Sequence, residues 1–323
     1  MKLGVFSPAL AQMSFKEMVE YLASQGVQQL EMAAGGCPGK AHFDPDVLLA
    51  DDAKIDEIKK ILADNNMSIA AISAHGNPVH PNPETAKMYH EEFNKAVLLA
   101  EKLGVDTIVG FSGCPGDCEE SKRSNWVTCS WPPEYMEILE WQWNEKLIPY
   151  WKEEAKFCQE HGIKKIAFEM HPGFCVYNTA TLLKLREAVG DIIGANVDPS
   201  HLIWQGMDPV EVIKVLGKAG AIHHFHAKDT KVDKANTAVN GVLDVGHYGN
   251  VLDRSWVFRT VGYGNGKEMW NAVISTLKAA GYDGVISIEH EDSLMSPKEG
   301  LEKAISFLKE VIIYEEPCEM WWA

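Results

Sequence analysis

The feature of this sequence that most restricts its fold is a regular alternation of short apolar runs with longer amphipathic stretches. Eight runs of strand length lie at residues 2–7, 27–33, 68–75, 105–112, 164–171, 193–199, 221–228 and 284–291. Several are continuously apolar, as parallel strands buried on both faces usually are. Helical periodicity follows each run, at residues 14–25, 45–66, 83–103, 134–161, 179–189, 209–218, 268–280 and 297–313. Eight strand-helix units in series predict a parallel sheet that closes into a (β/α)8 TIM barrel.

An open, doubly wound sheet is the alternative architecture for such an alternation. That fold usually carries a glycine-rich phosphate loop after its first strand. Here the corresponding loop reads SPALAQMS and contains no glycine, so we favour the barrel. No Ser/Gly-rich or Pro-rich linker divides the chain, and we expect a single domain over residues 1–323 with a tail from about 314. Long segments at 112–143 and 229–266 follow the fourth and seventh strands, on the face where barrel enzymes act.

The composition excludes several classes of partner. The chain has 30 basic and 46 acidic residues, a formal net charge of -16, which argues against nucleic acid or an anionic membrane surface as a partner. No apolar run approaches the roughly 18 residues that a membrane helix needs. The seven cysteines are odd in number and scattered, which is typical of a reduced, cytoplasmic protein.

Four ionisable residues recur at the ends of consecutive predicted strands. Glu169 ends the fifth strand, Asp198 the sixth, His226 the seventh and Glu289 the eighth. The carboxyl ends of barrel strands meet at one face, so these side chains can converge on one point. Charge inside an apolar strand is costly unless it is paired or bound to a metal. Three carboxylates and one imidazole form a set that suits Mn²⁺, Mg²⁺ or Co²⁺ and accepts Zn²⁺.

Two histidines of the seventh strand compete for the role of metal ligand. His224 and His226 are two residues apart and therefore share one face of the strand. We select His226 because it lies nearer the carboxyl end, and we expect His224 to be packed inside the barrel. The alternative, that both are core histidines, stays open at this point.

Motifs around these residues resemble the xylose isomerase-like TIM-barrel superfamily of sugar phosphate isomerases and epimerases. The matching stretches are FEMHPG (168–173), NVDPSHL (196–202), HFHAKD (224–229), YGNGKEMW (263–270) and AGYDGVISIEHED (280–292). The resemblance implies one divalent metal, with Mn²⁺ as first choice, held by the four strand-end residues above. It also implies that His201 contacts substrate. Lys228 and Asp229 depart from the glycine-glutamate pair of the ketose 3-epimerases.

The implied chemistry is proton transfer beside a carbonyl of a sugar-like small molecule. Glu169 and Glu289 would take and return the proton, giving isomerisation or epimerisation through an enediolate. Substrate contacts are expected from five further side chains: His75, His171, His201, Lys228 and Arg259.

Other interpretations of the same residues remain open. They are a lyase, either an inosose-type dehydratase or a subunit like those of C-glycoside deglycosidases, and a non-catalytic sugar-binding subunit. An apurinic endonuclease shares the barrel, but the acidic charge and a ligand set too small for three zinc ions argue against it. The sequence leaves open whether the chain forms a homo-oligomer or joins other subunits.

Overall fold

Residues 1–322 are described by a computed structural model, in which eight parallel strands close into a barrel. The barrel strands are β1 (Lys2–Phe6), β2 (Gln29–Gly36), β3 (Ser68–His75), β4 (Thr107–Gly110), β5 (Lys165–Glu169), β6 (Ile193–Val197), β7 (Ile222–Ala227) and β10 (Val285–Ile288). Each pairs with its neighbour along the chain, and β10 closes the barrel between β7 and β1. The predicted TIM barrel is confirmed.

The helices surround the strands in the expected order. They are α1 (Phe15–Ser24), α2 (Pro45–Leu48), α3 (Asp52–Asp64), α4 (Pro83–Leu103), α5 (Glu134–Trp141), α6 (Ile148–Glu160), α7 (Thr179–Val189), α8 (Pro199–Trp204), α9 (Pro209–Lys218), α10 (Lys234–Asn240), α11 (Lys267–Ala279) and α12 (Pro297–Val311). A π-helical turn at Gln142–Leu147 joins α5 to α6. The stretch predicted as one helix at 45–66 is instead two, because the Asp51 side chain accepts from the Ala53 N–H and starts α3.

The two long segments differ in structure. Residues 111–133, after β4, form neither helix nor strand. The segment at 229–266, which we call the strap, contains α10 and an antiparallel ribbon of β8 (Asp229–Val232) and β9 (Trp256–Arg259). Asp229 Oδ2 accepts the backbone N–H groups of Gly262, Gly264 and Asn265 at 3.0, 3.1 and 2.9 Å. One buried carboxylate therefore ties the end of the strap back to its beginning.

Large apolar side chains lock the outer faces of the strands against the helices. The ring of Phe168 on β5 meets that of Trp151 on α6, with centroids 4.5 Å apart. The Trp151 indole N–H donates to the Ser112 carbonyl at 2.8 Å. Such packing fixes the strand ends, and hence the side chains that project from them, on a rigid frame. Within residues 1–322 no helix is long and apolar enough to cross a membrane.

Candidate metal centre

The four predicted ligands meet at the carboxyl-terminal mouth of the barrel. Glu169 is the last residue of β5, His226 lies in β7, and Asp198 and Glu289 directly follow β6 and β10. One donor atom from each lies within 4.8 Å of the others. Asp198 also starts α8, because its Oδ1 accepts the Ser200 N–H at 2.8 Å. We call Glu169, Asp198, His226 and Glu289 the mouth cluster.

A second polar group lies in the barrel interior and shares His226 with the mouth cluster. Glu31 of β2 accepts hydrogen bonds from the Ser73 and Ser287 hydroxyls at 2.5 and 2.7 Å, and from His224 Nε2 at 2.8 Å. These residues come from four different strands, so only a closed barrel brings them together. We call Glu31, Ser73, His224 and Ser287 the inner cluster. His224 is thus inside the barrel, as predicted.

The inner cluster determines how His226 faces the mouth. His226 Nε2 donates to Glu31 Oε2 at 2.8 Å. Its Nδ1 lies 3.1 Å from Glu289 Oε2 and 3.4 Å from Glu169 Oε2. A histidine whose one nitrogen donates to a carboxylate presents its other nitrogen to a metal in the usual arrangement of metal sites. Nδ1 is therefore the atom available as a ligand.

Two buried atoms of the mouth cluster that could bind a metal lack hydrogen-bond partners in the described residues. They are His226 Nδ1 and Asp198 Oδ2. Each has a charged neighbour without hydrogen-bond geometry: Glu289 Oε2 lies 3.1 Å from His226 Nδ1, and Lys228 Nζ lies 3.3 Å from Asp198 Oδ2. Buried polar atoms are nearly always paired, and unpaired ones need an explanation. A divalent cation among these oxygen and nitrogen atoms supplies one, so the residues present fit a metal.

Charge at the mouth is unevenly distributed between the carboxylates. Burial raises the pKa of Asp198, whose charged form is therefore disfavoured. Burial also acts on Glu289, but Lys228 and His226 outweigh it and lower the pKa of Glu289 to about 2. Burial opposes the charged form of Lys228 as well, yet Glu289, Glu291 and Asp198 hold its pKa well above the ordinary value. Lys228 is thus a buried ammonium ion, 2.8 Å from Glu289 Oε2 and 3.0 Å from Glu291 Oε2.

Three predicted substrate-binding histidines stand around Glu169. His75 Nε2 lies 3.3 Å from Glu169 Oε2, and His201 Nε2 lies 3.0 Å from Glu169 Oε1. The ring of His171 is 4.1 Å from that of His201. Burial lowers the pKa of His171 to about 3, so this ring is neutral. Its Nδ1 donates to the Pro172 carbonyl at 2.6 Å, which leaves Nε2 as an acceptor for a substrate hydroxyl.

Arg259, the fifth residue predicted to bind substrate, makes its contacts outside the mouth cluster. Its Nε donates to Asp292 Oδ2 at 3.0 Å, and the same oxygen accepts the Thr260 N–H at 2.8 Å. This contact ties β9 of the strap to the loop after β10. The structure shows no contact that supports substrate binding by Arg259, which stays a prediction.

A cavity of about 500 Å³ opens over the mouth cluster. Its lining includes His75, His171, Lys228 and Glu289. Another cavity, of about 570 Å³, lies at the opposite end of the barrel beside Thr107 and Lys165 near the strand starts. Chemistry in TIM barrels takes place at the carboxyl ends of the strands, so the first cavity is the candidate active site.

Glu31 and Glu291 are two residues near the site for which the sequence predicted no role. Glu31 is fully buried in a run of apolar residues, a costly placement that signals a buried partner. Glu291 is half exposed and contacts Lys228. Its role depends on how the loop after β10 turns, for which the sequence carries no signal.

Comparison with known proteins agrees with the barrel and its motifs. The family model described as xylose isomerase-like TIM barrel matches residues 19–311. The uncharacterized protein YfiH of Bacillus subtilis strain 168 is 38% identical over 314 residues, which cover 97% of this chain and 99% of that protein.

Solved structures with the same fold include enzymes of different reaction types. The IOLI protein with a bound zinc atom has a TM-score of 0.65 at 19% identity and covers 97% of this chain and 98% of its own. A D-tagatose 3-epimerase-like protein has a TM-score of 0.64 at 22% identity, with 96% and 98% covered. The probable 3-DHS dehydratase AsbF of Bacillus anthracis has a TM-score of 0.64 at 17% identity, with 96% and 99% covered. At these identities the likeness concerns the fold.

Proposed function

The chain belongs to the xylose isomerase-like TIM-barrel family, and from this premise we propose that it is a divalent-metal-dependent isomerase or epimerase of a sugar or sugar derivative. The observation that carries the proposal is the mouth cluster itself. Two of its residues, Glu169 and Glu289, line a cavity large enough for a sugar. Within 4.8 Å of their oxygens lie the potential ligand atoms of His226 and Asp198, which include buried atoms without hydrogen-bond partners in residues 1–322. The metal, with Mn²⁺ as first choice, would supply positive charge to the substrate oxygens on which negative charge develops.

The protein's own residues divide the proton chemistry between two carboxylates. Glu289 has a side chain that is 15% exposed, and it lines the cavity beside Lys228. Glu169 is almost fully buried, and imidazole nitrogens of His75, His201 and His226 lie 3.3, 3.0 and 3.4 Å from its oxygens. We assign Glu289 to take the proton from the carbon beside the carbonyl, and Glu169 to return one. Return to the opposite face of the same carbon gives an epimer. Return to the former carbonyl carbon gives an isomer, with the hydroxyl proton passing from the neighbouring oxygen to the former carbonyl oxygen.

Neutral His171 and the Lys228 ammonium would orient substrate oxygens around this transfer. His171 Nε2 accepts from a hydroxyl, and Lys228 donates to an oxygen near Glu289. General acid-base groups of this kind typically contribute about 10²–10⁴-fold each.

The test combines metal content with hydrogen exchange. The metal-free protein is titrated with MnCl₂, MgCl₂, CoCl₂ and ZnCl₂ by calorimetry. It is then incubated with a panel of ketoses and aldoses in D₂O and followed by NMR. We expect one equivalent of metal, and deuterium at a single carbon of an epimerised or isomerised product. Glu289→Gln should lose the exchange. Glu211→Gln, which changes an exposed carboxylate paired with Lys214 on α9, should keep it. A protein that binds none of these ions would refute the proposal.

A lyase is the second candidate, and the pairing of Lys228 with Glu289 favours it. A carboxylate base and an ammonium acid 2.8 Å apart can remove a proton from one carbon and protonate the hydroxyl that leaves the next. The same NMR experiment separates the two functions. A lyase of this kind releases water and forms an unsaturated product, whereas an isomerase or epimerase keeps every carbon and oxygen atom of the substrate.

A further inference from the structure

A second cavity adjoins the candidate active site beneath the strap. It has a volume of about 450 Å³, and its walls carry the rings of five aromatic residues, Trp126, Trp204, Tyr248, Trp256 and Phe258. Trp204 and Trp256 are buried and stacked, with centroids 4.5 Å apart and planes 6° apart. Tyr248 stacks on Phe258 at 5.8 Å and 16°. We call this space the aromatic cavity.

The aromatic cavity and the mouth cluster share walls. His171 lines both the aromatic cavity and the cavity over the mouth cluster. His201 lines the aromatic cavity and places Nε2 3.0 Å from Glu169. Phe258 carries Lys228 Nζ over its ring at 4.7 Å. A ligand held at the mouth cluster can therefore extend past His171 into the aromatic cavity.

Buried Arg254 supports the wall of the aromatic cavity that the strap forms. Arg254 is 2% exposed, and its guanidinium lies 4.3 Å from the Tyr248 ring centroid and 4.8 Å from that of Trp256. Its Nε donates to the Trp256 carbonyl at 3.0 Å, and Nη1 donates to the carbonyl of Gly246. A buried arginine directed entirely at its own segment holds the rings in place before any ligand arrives, which lowers the entropy cost of binding.

The chemistry of the lining selects among ligands. No lysine or arginine is among the described residues that line the aromatic cavity, and its one acidic residue is Asp244. A phosphate group would need a cation there. At the rim, Leu243 and Val245 are 62% and 101% exposed, and exposed apolar side chains around a cavity indicate a surface that a ligand covers. Flat aromatic faces with a few polar groups suit a ring with apolar C–H edges.

We propose that the aromatic cavity binds a second sugar ring, linked glycosidically to the sugar that reacts at the mouth cluster. The substrate is then a glycoside rather than a free or phosphorylated monosaccharide. This inference rests on the proposed function for the position of the reacting ring. The two cavities, about 500 and 450 Å³, each lie within the range of about 300–1,000 Å³ for ligand pockets.

The test compares disaccharides with their component monosaccharides. Binding of a panel of disaccharides and of the matching free sugars to the Mn²⁺-treated full chain is measured by calorimetry. We expect at least one disaccharide to bind about tenfold more tightly than either component, a gain of the size of one good aromatic contact. Tyr248→Ala should remove that gain. Leu252→Ala is the matched control, because Leu252 is 90% exposed on the same segment and lies outside the cavity lining.

Three results would overturn the inference. They are disaccharides that bind no more tightly than monosaccharides, equal effects of Tyr248→Ala and Leu252→Ala, and a dimer that Val245→Asp dissociates, since a second copy would then cover the cavity. Repeating the titration in EDTA separates this inference from the proposed function. A disaccharide that binds through Tyr248 in EDTA supports the aromatic cavity whatever the reaction is, and turnover that persists in EDTA refutes the metal-dependent reaction. Turnover of monosaccharides without preference for disaccharides refutes the aromatic cavity and supports the proposed reaction.

Discussion

The mouth cluster and the inner cluster both combine buried carboxylates with imidazoles, and they differ in how many of their polar atoms have hydrogen-bond partners. Glu31 accepts from two hydroxyls and two imidazoles, and each of its oxygens is paired. In the mouth cluster His226 Nδ1 and Asp198 Oδ2 are buried but have no hydrogen-bond partner within residues 1–322. Burial of ionisable groups therefore does not by itself identify a metal site. A closed network has no need of a cation, whereas a cluster with unpaired donors beside a cavity can accept one.

Among the variants, Asp198→Asn should cause the largest loss of metal affinity without a loss of stability. Metal affinity should fall by more than about 100-fold, since changes to residues that only support metal ligands already cost about 10–100-fold. The free energy of unfolding of the metal-free protein should stay the same or rise. Burial raises the pKa of Asp198, so its charge is disfavoured in the fold at neutral pH, and the neutral amide removes this penalty. MnCl₂ titration and thermal unfolding in EDTA measure the two quantities.

Asp208→Asn is the control for that variant. Asp208 precedes a proline at the start of α9 and accepts the Val210 N–H at 2.8 Å, as Asp198 does for Ser200 at the start of α8. Asp208 is exposed and belongs to none of the groups of potential metal ligands among the described residues, so metal affinity should not change. A metal-free Asp198→Asn protein much less stable than Asp208→Asn would contradict the view that the mouth cluster is strained by its charge.

Glu31→Gln, unlike Asp198→Asn, should lower the free energy of unfolding strongly and metal affinity more moderately. Removing the charge from a buried ion-pair network typically costs about 3–5 kcal/mol of unfolding free energy. Metal affinity should fall by about 10–100-fold, because His226 loses the carboxylate that orients it. Chemical denaturation and metal titration check the two effects. In the control Glu92→Gln, the altered side chain accepts the Gly36 N–H at 2.8 Å from a helix outside the barrel. That variant should leave metal affinity unchanged. If Glu31→Gln also left it unchanged, the inner cluster would have no influence on metal binding at the mouth cluster.

Metal binding should strengthen as pH rises. Burial opposes a charged His226, but Glu31 and Glu289 outweigh it and raise the pKa of the ring well above its ordinary value. The metal-free ring is therefore protonated at neutral pH, and a metal must displace its proton. Affinity should rise about tenfold per pH unit for each proton released, until the pH passes that pKa. Calorimetry in two buffers of different ionisation enthalpy counts the protons. Binding heats that do not depend on the buffer would show that His226 is already neutral.

Of the four predictions, the one for His224→Gln has the smallest expected effect on stability and on metal affinity. Burial lowers the pKa of His224, so the ring carries little charge, and it contributes one hydrogen bond to Glu31. Loss of a buried hydrogen bond costs about 0.5–1.5 kcal/mol. Glu31 retains its contact with His226, so metal affinity should change less than in Glu31→Gln. Equal losses of affinity in the two variants would mean that the whole inner cluster, and not Glu31 alone, orients the ligand.

Much of the candidate site could be predicted because strand ends are readable in the sequence. Glu169, Asp198, His226 and Glu289 each end an apolar run, and closure of the barrel brings such positions together whatever the loops do. The contact partners of Arg259 and Glu31 could not be predicted in this way. Arg259 pairs with Asp292 across a loop contact, and Glu31 finds its partners on the other side of the barrel. Both depend on distances between segments that sequence spacing does not encode.

The sequence by itself determined the barrel and the predicted ligand set, because hydrophobic periodicity is local and eight repeats of one unit leave few ways to bury their apolar faces. Only the tertiary structure decided which nitrogen of His226 faces the mouth, which carboxylates are satisfied, and that the strap encloses an aromatic cavity. Those features depend on side-chain orientation and on contacts between residues far apart in the chain. Trp204 and Trp256 show the difference: each is an ordinary aromatic residue in the sequence, and together they form one wall of a binding site only after the strap folds over the barrel.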